Sequence, residues 1–151
     1  MELNLKKSTR KIKEIIIHCS ATPQDIDFTV DDIRRWHTLP PPKGNGWADV
    51  GYHYVIGLHG ELWEGRDVDR QGAHCKEGGH NRNSIGVCYI GGCAKDGKTP
   101  KDTRTLAQKA RLLMLLEALK KLYPGAKIYG HCDFSNKSCP SFDAKSEYAS
   151  L

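Results

Sequence analysis

Lys11-Ile12-Lys13-Glu14-Ile15-Ile16-Ile17-His18 is the stretch on which the fold turns. Three consecutive isoleucines are stiff at χ1 and favour extended backbone. An apolar run that does not alternate with polar residues fits a strand covered on both faces rather than a surface edge. Lys11 to His18 is therefore predicted as a central strand, with His18 at its C-terminal end.

Working outward, Thr29 followed by Asp32 has the spacing of a helix N-cap, and Val30, Ile33 and Trp36 or His37 continue at helical spacing. The prolines and glycines of Pro40 to Gly46 require a loop. Tyr52 to Leu58 reads as a strand, and His59-Gly60 turns it into a second one around Glu61 to Trp63. Gly65 to Arg82, rich in glycine and polar residues, is expected to be a long surface loop lining a binding site. Ser84 to Ile90 reads as another buried strand. The strongest helix runs from Leu106 to Tyr123, opened by the capping box Thr105/Gln108 and stopped by Pro124-Gly125. A short strand, Lys127 to Gly130, delivers His131 just beyond its end. Mixed strands and helices in this order predict a single α/β domain over 1–151, with its core at about 12–145 and a mixed central β-sheet flanked by helices.

A chain of 151 residues buries one core without disulfides, and 38% hydrophobic with 27% charged residues fits a folded domain. No stretch spans a bilayer, and Met1 to Ser8 lacks the apolar core of a signal peptide, so accumulation in the cytoplasm is expected. A net charge of +5 with intermixed acids argues against nucleic acid as a partner and leaves an anionic polymer such as cell wall compatible. No membrane partner is expected, and the chain is expected to be a monomer. None of the six cysteines forms a C-x-x-C pair, so free thiols or metal ligands are expected rather than staples.

His18 and His131 both fall at C-terminal strand ends, where open α/β sheets build their sites. Together with Cys139 they form a His, His, Cys trio of borderline donors suited to tetrahedral zinc with a fourth position open to water. Spacing alone does not establish the trio.

The segments Ile17-His18-Cys19-Ser20-Ala21-Thr22, Gly51-Tyr52-His53-Tyr54, Asn83-Ser84-Ile85-Gly86-Val87 and Cys139-Pro140-Ser141-Phe142-Asp143 resemble the zinc amidase family that includes phage lysozymes and peptidoglycan recognition proteins. The resemblance implies hydrolysis of the bond between N-acetylmuramic acid and L-alanine in bacterial peptidoglycan. It implies Zn2+ held by His18, His131 and Cys139, with Tyr52 and Lys137 as catalytic residues. Trp47 and His74 fall at family positions near the substrate groove, while Lys76 to Asn83 lacks the aromatic residue of its phage counterpart. Tyr52 would orient the water or shuttle a proton, and Lys137 would stabilise an oxyanion. Two alternatives remain open at this stage: a non-catalytic peptidoglycan-binding module, and a cytoplasmic amidase recycling soluble muropeptides. Trp36 and Trp63 read as packing residues, His37, His59 and His80 as surface residues, and Cys19 and Cys132 as packing thiols.

Overall fold

The computed structural model describes residues 3–151. Strand β1 (Glu14–Cys19) lies inside a five-stranded sheet, with β5 (Ser84–Tyr89) on one side and β7 (Lys127–Gly130) on the other. Both pairings are parallel. Beyond β5 comes β3 (Tyr54–Ile56), also parallel, and the antiparallel edge strand β4 (Leu62–Glu64) completes the order β4-β3-β5-β1-β7. The isoleucine run is central because both of its faces are covered: Ile15, Ile16 and Ile17 are all fully buried.

Alternation along the strands assigns the two faces. Ile15, Ile17, Ile85, Val87, Tyr54 and Ile56 pack with Leu112, Leu115, Leu116 and Leu119 of α2 (Leu106–Leu122). Those four leucines sit at i, i+3, i+4 and i+7, one helical face, and burying each contributes roughly 2 kcal/mol. On the opposite face Val55, Cys88 and Ile90 pack with Val30 and Ile33 of α1 (Val30–Thr38), with Trp36 and Trp63 partly buried against them. Thr29 and Thr105 cap the two helices with the capping boxes expected from their spacing.

Strands expected from the sequence are present but shorter. Tyr52 and His53 precede β3 rather than lying in it. A two-residue parallel ladder between β2 (Thr22–Pro23) and β6 (Gly92–Cys93), and the short helix α3 (Ala144–Glu147), carried no periodic signal. The 65–82 segment is not wholly a surface loop: His74 and Cys75 within it are buried, because the loop folds back over the sheet face that carries His18. All six cysteines are free thiols; Cys19 is buried as a packing thiol should be, whereas Cys132 is exposed because it lies on the turn beyond β7.

Candidate functional site

Parallel pairing brings the two histidines together. β1 and β7 run in register with Ile17 opposite Gly130, so the next residues, His18 and His131, leave adjacent strand ends on the same side. Their ring centroids are 4.7 Å apart. The chain then turns through a single 3-10 turn, His131–Asp133, and returns, with the Cys132 amide donating to the Cys139 carbonyl at 2.8 Å. The Tyr89 hydroxyl anchors this return by donating to the Pro140 carbonyl at 2.6 Å. Cys139 Sγ thereby comes to 3.7 Å from His18 Nδ1 and accepts the Cys19 amide at 3.2 Å. Ligand atoms of His18, His131 and Cys139 all lie within 4.8 Å of one another, a donor set that could hold one metal ion. Two imidazoles and a thiolate suit a borderline divalent ion such as zinc.

Burial favours a ligand-ready imidazole at His18. Burial, reinforced by the nearby His74, His131 and Lys137, pushes His18 well below its usual pKa, so its ring is neutral near pH 7. The neighbouring Cys19 thiol and burial both push the Cys139 thiol up, so a cation has to displace its proton. Burial and the thiols of Cys88, Cys139 and Cys19 push the Tyr52 phenol well above its usual range, leaving it a neutral hydroxyl. Its ring lies 5.1 Å from that of His18. Lys137 is exposed on the loop that leads into Cys139, and its charge reaches His18.

The remaining expected residues divide. Trp47 is 37% exposed and packs its ring 4.8 Å from His37, which in turn stands 5.6 Å from Tyr52. His37 is thus half-buried beside Tyr52 rather than a surface residue: it accepts the Gly51 amide at 2.9 Å through Nδ1, and burial, with Arg66 nearby, lowers it to about 4. His74 stands behind His18, with its Nδ1 2.9 Å from His18 Nε2 and its Nε2 3.1 Å from Ser84 Oγ. His53 packs on the far side of His74, ring centroids 5.8 Å apart, in a buried structural position. His59 is exposed, while His80 pairs with Glu14 at 2.6 Å and stacks on Phe134.

Sequence reasoning passed over Glu77. Its Oε2 is 3.1 Å from His131 Nε2, and with Cys75 and His131 it forms a second cluster of donors within 4.8 Å. Partial burial pushes the Glu77 carboxyl up, but its own backbone amide and His131 hold it below its ordinary value. No motif marks it, since a lone glutamate in a glycine-rich loop has no spacing to read.

A family profile described as "N-acetylmuramoyl-L-alanine amidase" matches residues 8–142. The endolysin of Klebsiella phage KP32 is 43% identical over 136 residues, covering 90% of this chain and 85% of its own. The endolysin of Escherichia phage T7 is 42% identical over 139 residues, 92% and 87% of the respective chains. Among solved structures, the N-acetylmuramoyl-L-alanine amidase LysC of Clostridium intestinale URNW superposes with a TM-score of 0.73 at 24% identity, over 97% of this chain and 91% of that one, a likeness of fold.

Proposed function

The chain belongs to the N-acetylmuramoyl-L-alanine amidase family, and from that premise we propose that it cuts the amide between N-acetylmuramic acid and L-alanine in bacterial peptidoglycan, using a zinc ion held by His18, His131 and Cys139. The observation that carries this reading is the convergence of those three side chains, from two strand ends and a return loop, to within 4.8 Å of one another. When bound, zinc lowers the pKa of a coordinated water to about 7 and polarises the scissile carbonyl.

The chain's own residues account for the rest. Hydrolysis of an amide develops negative charge on the carbonyl oxygen and requires a proton for the departing amine. The Lys137 ammonium, on a loop beside the ligands, stabilises that oxygen as its charge grows. Tyr52 keeps its proton, and its hydroxyl orients the attacking water or passes a proton to the leaving nitrogen. His18, held neutral by burial, offers an imidazole lone pair without competition from protons. Trp47, exposed beside His37 at the rim, offers an apolar face to a sugar or peptide stem. Among the described residues no helix is long and apolar enough to cross a membrane.

Mass spectrometry of muropeptides after incubation with purified sacculi tests the reading, with soluble muropeptides as a parallel substrate. Free L-alanine amino termini from sacculi are expected. Zinc-loaded protein that releases none from either substrate overturns the reading, and release from soluble fragments alone moves the role to recycling.

A further inference from the structure

The loop expected from the sequence to line a binding site reaches the proposed ligand His131 from behind. Glu77 Oε2 and His131 Nε2 are 3.1 Å apart. An ionised carboxylate can only accept hydrogen bonds, so Nε2 carries the proton and the lone pair of His131 lies on Nδ1. His18 presents the same arrangement: Nδ1 faces Cys139 and Nε2 meets His74. Each imidazole thus turns Nε2 to a partner from one short segment, His74 for one and Glu77 for the other.

That segment is held firmly. The Asn81 side-chain carbonyl accepts both the His74 and Cys75 amides, at 2.9 and 2.7 Å. Gly78, immediately after Glu77, turns the chain at φ +62°, a conformation that disfavours other residues. His80 is bonded to Glu14 and stacked 3.8 Å from Phe134, on the same turn that carries His131. Glu77 and His131 are therefore fixed to one another through two routes.

We infer that Glu77 is a positioning residue for His131, fixing its Nε2-protonated tautomer and ring orientation so that Nδ1 is presented to the metal; this rests on the zinc-ligand reading above. Outer partners of this kind raise ligand basicity and hold the ring without touching the ion. Cys75, Glu77 and His131 could themselves hold a second ion. An ion there would have to take the Nε2 atom that Glu77 already engages at 3.1 Å. The hydrogen-bonded arrangement leaves that atom its proton.

Zinc affinity, measured on the full chain by competition with a chelator, tests the inference. Glu77→Ala is expected to weaken zinc binding about 10- to 100-fold, while Glu77→Gln, which keeps an acceptor oxygen, restores most of it. Long-range proton–nitrogen spectra are expected to show His131 protonated on Nε2 in the wild type and Glu77→Gln, and a tautomer mixture in Glu77→Ala. Cys75→Ala is expected to keep one equivalent of zinc at unchanged affinity. Melting of the metal-free variants separates a general loss of fold from a local effect. Wild-type affinity and an unchanged tautomer in Glu77→Ala overturn the inference, as does a second wild-type zinc equivalent that vanishes in both Cys75→Ala and Glu77→Ala. A wild type that binds no zinc overturns the ligand assignment instead, and the tautomer spectra then still decide whether Glu77 sets the ring.

Discussion

Gly86 leaves the space that the His74 ring fills: a Cβ at residue 86 would stand 2.6 Å from His74 Cδ2 and 2.7 Å from Cγ. Because His74 backs His18 at 2.9 Å, a small residue in the middle of β5 governs the orientation of an imidazole on β1. Gly86→Ala should cost about 1–3 kcal/mol from overpacking and should also weaken zinc binding by displacing His74. Denaturant melts paired with chelator titration check this; a variant destabilised with unaltered zinc affinity would separate His74 from the metal site.

Cys139 and Lys137 should fail differently. On the proposed ligand set, Cys139→Ser replaces a thiolate with a poor ligand and should lose both zinc and most hydrolysis. Lys137→Ala should keep zinc at one equivalent and lose turnover by about 10²–10³-fold, the range for removing a donor to a developing oxyanion. Metal content by mass spectrometry beside sacculus hydrolysis rates distinguishes them.

Acid should destabilise the fold through His53. Its Nδ1 accepts the Gly86 amide at 3.0 Å and its Nε2 donates to the Arg70 carbonyl at 2.9 Å, an arrangement that only the neutral ring can make. Burial lowers its pKa from 6.5 to about 4. The folded value lies below the unfolded one, so the contribution is complete above pH 6.5 and is lost as pH falls through about 4, amounting to about 3 kcal/mol. Denaturant titrations of metal-free protein from pH 7.5 to 4 should show a slope to which the buried His18, His37 and His74 also contribute, and His53→Gln should reduce it by about the His53 share.

Arg104 should be a stability residue without bearing on zinc. Its guanidinium side chain is 1% exposed, bonds Asp102 and Glu147, and lies 3.4 Å from the centroid of the Phe142 ring. It thus clamps α3 to the segment leading into α2. Arg104→Met should cost about 3 kcal/mol, the low end of the range for breaking such a pair, because both carboxylates reach solvent and can rehydrate. A melting shift with normal zinc affinity is the expected result; loss of zinc affinity would tie the clamp to the Cys139 loop.

Legibility in the sequence followed the range of the interactions. The isoleucine run, the capping boxes at Thr29 and Thr105, and the Pro124-Gly125 stop are local, so they could be read directly and the elements lie where they were expected. Their ends were overestimated, as at Tyr52 and His53, because β-propensity does not reveal where ladder partners run out. Strand ends pointed to His18 and His131, but their grouping with Cys139 gained weight only from the family resemblance, since no spacing rule joins residues 121 positions apart.

What the sequence by itself determined is the longer strands and helices, the central place of β1, and the family to which the motif blocks belong; each rests on short-range propensity or contiguous residues. What only the tertiary structure decided is how the 74–77 segment is used. Its glycine-rich surroundings have no periodicity, and its conformation comes from Asn81, the space at Gly86 and the stacking of His80 on Phe134. Those contacts place His74 behind His18 and Glu77 against His131. Hydrogen-bond geometry of that kind depends on where distant backbones pack, so it exists only once the sheet is assembled.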